Sequence, residues 1–256
     1  MATYKKKGNK IKNEAGEVQS AIERNSDTAK IFNTLDDTAS KSEAWVIKNQ
    51  KNIFIILGII VVGMLALLAY KQYVSTPNET AAANELAFPK KYFKQANSAA
   101  VAKDSLYTLG LEGADGKYGF LDIADQYGST DAGNLANYYA GISYLNMKKY
   151  PEAIEYLGKF SSDDEVLGAV AKGAIGDAFA DLNQQEDALE YYEKAANLKD
   201  NSFSTPLFLF KAANTALDLG KSDKALKMFE RIKKSYPKSE EAKNIDIYIN
   251  KAKYAN

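Results

Sequence analysis

The stretch from Ile53 to Tyr70, IFIILGIIVVGMLALLAY, holds no charged side chain and is bracketed by Lys48 and Lys51 on one side and Lys71 on the other. In helical form about 18 residues extend roughly 27 Å, close to the ~30 Å hydrocarbon core of a bilayer. A buried core helix would carry a polar stripe, and this run has none, so it is read as a single membrane crossing from Ile53 to Tyr70. The run begins far from Met1, behind a polar segment with many acids. That is not the layout of a cleavable secretory signal, whose apolar core follows a short basic start. Gly58 and Gly63 are five apart rather than four and offer no simple close-packing face for a second membrane helix.

Orientation follows the Lys/Arg bias near the span. Lys41, Lys48 and Lys51 precede it, against Lys71 and Lys90 after it, and Lys5, Lys6, Lys7, Lys10 and Lys12 strengthen the same side. The expectation is a cytoplasmic N-terminus with the bulk of the chain across the membrane. Trp45 before the run and Tyr70 and Tyr73 at its end suit the two interfaces. Residues 1–52 carry ten Lys/Arg against seven Asp/Glu, while the whole chain is neutral, so the part beyond the anchor is net acidic. Such a balance gives no nucleic-acid footprint. The basic start suits either anionic headgroups of the lipid bilayer or a solubilising tail. Val18, Ile22, Ala29 and Phe32 recur at helical spacing and predict an amphipathic helix from Glu14 to Leu35. Asp36, Asp37 and the Thr38 to Ser42 stretch are expected to break it, with Ser42 as the N-cap of the next helix.

Cysteine and histidine are both absent. With them go disulfides, the commonest general base and the commonest metal ligand. Neither a metal nor another cofactor is expected. Ser143 in AGISYL lacks the glycine two residues on that a nucleophile elbow requires, Leu145 standing there instead. Asp163 and Asp164 are adjacent loop residues suited to capping a helix, not opposed carboxylates. Lys117 in LEGADGKYG is followed by Tyr118 where a phosphate loop needs Ser or Thr, so that glycine-rich segment reads as a connecting turn around Asp115 and Gly116. No catalytic constellation emerges, and the expectation is a protein that is not an enzyme.

Past the anchor, Pro77 and Asn78 mark a short linker, and Glu79 to Asn97 reads as a helix interrupted at Pro89. Three phrases then recur: YPEAIEYLGKF around Ala153, QEDALEYYEKAA around Ala188 and SDKALKMFERI around Ala225, spaced 35 and 37 residues apart. Gly141 and Gly176 stand twelve residues before the first two alanines, Tyr144 and Phe179 nine before. Leu157, Tyr192 and Phe229 follow each alanine by four, with Phe160, Ala195 and Ile232 three further on. This recurrence of type and offset resembles the tetratricopeptide repeat, in which small residues let paired helices approach and large ones fill the space between repeats. The third unit departs from it by placing Ala213 and Ala216 at the small-then-aromatic positions, while keeping Gly220 at the turn and Pro237 at the end. A degenerate unit from Glu85 to Ser129, with GFLDIADQYGS as its second helix, is expected before them.

The fold class expected is therefore all-α: one N-terminal transmembrane helix followed by a tetratricopeptide-repeat α-solenoid. Residues 1–47 read as a cytoplasmic tail and amphipathic helix, 48–74 as the anchor and 75–256 as the repeat domain. Repeats are expected near 134–167, 169–202 and 206–239, and a capping helix over 240–253 with Ala242, Ile245, Ile249 and Ala252 on one face. First helices line the concave side of such arrays. Those positions are Leu135, Tyr138, Ile142 and Leu145, then Val170, Gly173, Asp177 and Ala180, then Leu207, Phe210, Asn214 and Leu217. Of a carboxylate-clamping set of Lys, Arg and Asn only Asn214 is present. The candidate groove, Leu135, Tyr138, Ile142, Leu145, Leu207, Phe210, Asn214 and Leu217, suits unfolded polypeptide or a partner helix. Packing against neighbouring helices, including the 79–97 segment folding back, is the alternative.

Taken together, one anchor, a cytoplasmic start and a short repeat array beyond the membrane resemble the YfgM-like ancillary subunit of the Sec translocon. The densest stretch is YGFLDIADQYGSTDAGNLANYYAGISYLNMKKYPEAIEYLGKFSSDD, Tyr118 to Asp164, which is similar to the Bacteroidetes type. That resemblance implies a single-pass protein of the bacterial inner membrane with a periplasmic domain. Its implied partners are a SecYEG-type translocon, a membrane-anchored peptidyl-prolyl isomerase and unfolded secretory polypeptides. No catalytic residue is carried across by it. A structural scaffold of an envelope secretion or motility complex is the alternative for the same architecture.

Overall fold

The computed structural model describes residues 27–255. The Lys-rich start and the part of the expected Glu14 to Leu35 helix before residue 27, with Val18 and Ile22, lie outside the described residues. Those described form helices and connecting turns, with one isolated bridge between Ala114 and Lys117. They divide into two units, separated between Ala69 and Tyr70.

The described part of the first unit is helix α1, Asp27–Tyr70, up to Ala69. Its apolar part reaches a mean hydropathy of 2.9 with none of it buried, and Phe54 and Leu67 are 70 % and 71 % exposed. Covering a side chain of that kind is worth about 1.5–3 kcal/mol. Helix α1 is thus long and apolar enough to cross a membrane. It also runs through Asp36 to Ser42 without a break, so Ser42 lies inside the helix and is not an N-cap. The reason is that Asp, Ser and Thr are only mildly unfavourable in a helix, and neither Gly nor Pro occurs between Asp27 and Leu57.

In the second unit a π-helical turn, Lys71–Ser75, leads into α2, Thr76–Ser98. The expected linker at Pro77 and Asn78 is instead the first turn of α2, where a missing N–H costs nothing. Nor does Pro89 interrupt that helix. Ala82, Leu86, Pro89 and Ala96 are buried and, with half-buried Phe93, make one stripe whose packing offsets the lost backbone hydrogen bond. Beyond come α3, Lys103–Glu112, and α4, Phe120–Gln126. The turn between them has positive φ at Asp115 and Gly116 and a 2.9 Å hydrogen bond from the Lys117 amide to the Ala114 carbonyl, as a tight reversal demands.

Three helical hairpins follow: α5 with α6 (Asp131–Asn146, Tyr150–Lys159), α7 with α8 (Leu167–Asp181, Gln185–Asn197), and α9 with α10 (Ser204–Asp218, Ser222–Ser235). All three turn in the same way. Lys148, Asn183 and Gly220 adopt left-handed φ, and the next amide, of Lys149, Gln184 or Lys221, donates back to the Tyr144, Phe179 or Ala216 carbonyl. Ala153, Ala188 and Ala225 are fully buried where the hairpin helices meet. A Cβ on Gly141 would stand 2.5 Å from Leu157, and one on Gly176 2.7 Å from the Tyr192 ring, so the glycines set how closely each pair approaches. Helix α11, Ile245–Lys253, closes the array by burying Ile245, Ile249 and Ala252, with Ala242 packed just before it. The array is all-α and built of tetratricopeptide-type hairpins.

Candidate protein-binding face

Successive first helices touch one another, α5 with α7 and α7 with α9, so the candidate positions stand on adjacent helices. Each of the eight is half-buried, so each gives part of its surface to the core and part to the face. They do not form one uninterrupted strip. Leu135 packs with the N-terminal core around Phe120 and Ala136. Tyr138, Ile142 and Leu145 gather on Leu157, Ala171, Ala174 and Ile175, which joins the first hairpin to the second. Leu207, Phe210 and Leu217 lie on the C-terminal core.

The aromatic members are held by other rings. Tyr138 lies 5.2 Å from Phe160, and Phe210 meets Tyr248 of α11 edge-on at 4.7 Å. Burial, then neighbouring Tyr139, pushes the Tyr138 hydroxyl pKa above that of a free phenol. The Asn214 side chain donates to the Phe210 carbonyl at 2.8 Å and is thereby half-spent. Between these patches Gly173 is buried against Phe208.

Asp177, reached on the same face, is the centre of a polar contact that the sequence pattern did not disclose. Lys211 of α9 donates to both its oxygens at 2.6 and 2.9 Å, and the Tyr192 hydroxyl donates to Oδ1 at 2.6 Å. Burial, then the hydrogen bond to Asp177, drives the Tyr192 pKa well above its ordinary value. The one available hint was spacing, since Lys211 follows Asp177 by 34 residues, nearly one repeat. The middle of the face is therefore polar but internally neutralised.

Near the first hairpin a cavity of about 460 Å³ opens beside Leu135, lined also by Asp131, Asn134, Phe160, Asp163 and Leu167. Its wall is tied by the Asn134 amide group, which donates to the Ser161 carbonyl at 2.7 Å and accepts from the Ser161 amide at 3.0 Å. Asp164 accepts from the Val166 and Leu167 amides at 2.9 and 2.6 Å and so caps the start of α7. Those two bonds hold its carboxyl pKa below the usual range. Asp163 makes no such cap; its carbonyl takes Lys199. Ser143 is buried in α5 and donates to the Tyr139 carbonyl at 2.7 Å, a back-bond within the helix. Among the described residues, no group of three or more acids is placed to hold a metal ion.

The segment 79–97 does fold back, as α2: Phe93 meets Tyr139 at 5.0 Å, and Ala82 and Leu86 share the core on which the groove position Leu135 packs. Glu79 also reaches from α2 to the start of α5, accepting from the Asp131 and Ala132 amides at 2.8 and 3.1 Å.

The tetratricopeptide repeat family model matches residues 135–163 and 208–239, which fall on the first and third hairpins. No curated protein and no solved structure matches the chain. The chain carries tetratricopeptide repeats, an architecture that serves protein–protein interaction.

Proposed function

We propose that this protein is a membrane-anchored, protein-binding accessory factor of the bacterial inner membrane, working beside a SecYEG-type translocon. Its N-terminus lies in the cytoplasm and its repeat domain in the periplasm, where it contacts secretory polypeptides or a membrane-anchored peptidyl-prolyl isomerase. The reading rests on the resemblance carried by residues 118–164 and on one combination of features. A helix long and apolar enough to cross a bilayer and a repeat array with half-exposed Tyr138, Ile142 and Phe210 stand in the same chain. A polypeptide laid across the first helices meets apolar and aromatic side chains of the first and third hairpins, with the neutralised Asp177–Lys211 contact between them.

Gentle solubilisation of membranes followed by co-purification tests it. Translocon subunits are expected in the eluate, and unfolded polypeptide is expected to bind less well after Tyr138→Ala with Phe210→Ala. Absence of translocon subunits under conditions that keep other weak membrane complexes intact overturns the assignment.

A second reading, a scaffold of an envelope secretion or motility complex, draws on a different observation. Tyr138 leans on Phe160 and Phe210 on Tyr248, so these rings are already held in place as a preformed surface for a folded partner. One stoichiometric folded partner, with no binding of unfolded chains, supports that reading instead.

A further inference from the structure

Helix α2 carries Lys90, Lys91 and Lys94 around a recess of about 430 Å³ whose floor is Phe93 and Tyr139, with Asn97 at its edge. Lys90 Nζ stands 5.5 Å from the centre of the Tyr139 ring, and all three lysines are exposed. Where lysines of this unit do meet carboxylates, as Lys159, Lys194, Lys211, Lys221, Lys224, Lys233 and Lys243 do, each forms an ion pair. Among the described residues no carboxylate lies within ion-pairing distance of Lys90, Lys91 or Lys94. The cluster also stands out against a net acidic background, since residues 71–256 hold 23 Lys/Arg against 26 Asp/Glu.

We propose that Lys90, Lys91 and Lys94 form a docking site for an acidic segment of a protein partner, whose adjoining apolar side chains run over Tyr139 onto Tyr138. Three unpaired cations around a low-dielectric recess focus a positive potential, which an anionic chain neutralises. The aromatic floor adds area for an apolar residue beside the acids. Tyr138 and Tyr139 have ring centres 5.7 Å apart, so the lysine site abuts the first aromatic of the candidate groove. A flat anionic lipid surface meets exposed lysines equally well but leaves the recess and its rings unused, which favours a protruding peptide. The site complements a groove that itself lacks a carboxylate clamp. It rests on the reading of the array as a polypeptide-binding module.

The test uses the full chain in phosphatidylcholine nanodiscs and two short fluorescein-labelled peptides. One has a run of glutamates followed by leucine and phenylalanine; the other has glutamines in place of the glutamates. Anisotropy is expected to report tighter binding of the glutamate peptide. The triple variant Lys90→Gln, Lys91→Gln, Lys94→Gln is expected to weaken it about tenfold, the combined effect of three exposed ion pairs. Rising salt is expected to erase the same difference. A control triple of exposed lysines, Lys227→Gln, Lys234→Gln, Lys253→Gln, is expected to bind as the parent does. Equal binding of both peptides overturns the lysine site while leaving the module reading intact. Binding of neither overturns both. Lysine-dependent capture of phosphatidylglycerol vesicles without peptide binding overturns the proposal in favour of a lipid surface.

Discussion

At single positions the decisive quantity is free space, and two helical glycines show it. A Cβ on Gly173 would fall 1.9 Å from the Phe208 ring, and Phe208 is only 3 % exposed, so the ring has nowhere to retreat. Gly→Ala in a helix gains up to about 1 kcal/mol from propensity, whereas overpacking costs about 1–3 kcal/mol. The clash wins at Gly173, and Gly173→Ala is expected to lower the melting temperature of the full chain. Gly158 has nothing within 4 Å of its Cβ position. There Gly158→Ala is expected to raise the melting temperature, by about 0.5 kcal/mol of stability so close to the helix end. Circular-dichroism melts of the two variants side by side check both signs. Asp164 offers a pH test. Its folded pKa is depressed because the charged form accepts the Val166 and Leu167 amides. Its stabilising effect is therefore present above the ordinary carboxylate range and is lost as pH falls through the lowered folded value. Amide exchange at the start of α7 is expected to accelerate in that acid range, and Asp164→Ala to show the faster exchange already at neutral pH.

Between elements, the hairpins are joined by polar contacts that recur at about the repeat length. Lys211 pairs with Asp177, Lys221 with Glu186 and Tyr236 with Asp200, at separations of 34, 35 and 36 residues. Asn201 is the busiest of these joints. Its Oδ1 accepts from the Phe203 and Ser204 amides at 3.0 and 2.7 Å, and its Nδ2 donates to the Ser204 hydroxyl and the Glu165 carbonyl at 2.7 and 3.3 Å. It thus caps α9 and ties that start to the loop before α7. Asn201→Ala is expected to cost about 2 kcal/mol, a lost cap plus a lost inter-repeat bond. Because a solenoid transmits stability only between neighbours, the loss should concentrate in α9 to α11 and spare α5 and α6. Hydrogen exchange resolved by peptide distinguishes that outcome from uniform loosening.

For the molecule as a whole the open quantity is sidedness, and the lack of cysteine makes it directly measurable. Single cysteines at Ser26 and at Ser202 are expected to react with an impermeant thiol reagent from opposite sides of the membrane, Ser202 from the periplasm. Labelling of Ser202 from the cytoplasm alone reverses the proposed topology. Residues with strong local meaning were legible in the chain by itself. An uncharged apolar run has one inexpensive environment, and the alanines at 153, 188 and 225 recur because two helices can meet only where a side chain is small. The helix class, the hairpins and the closing face of Ile245, Ile249 and Ala252 follow from that periodicity, and a helix apolar enough to cross a membrane follows from the uncharged run. Tertiary structure decided what periodicity does not carry. It kept α2 helical through Pro89, since burial of its apolar stripe outweighs the lost backbone bond, whereas α1 runs through Asp36 to Ser42 on local propensity alone. It divided the candidate groove among three cores, and it joined Asp177 to Lys211 and Tyr192. It also left Lys90, Lys91 and Lys94 without acidic partners over an aromatic floor. Such pairings depend on which helices lie next to each other in space, and spacing along one chain records only which residues share a face of the same helix.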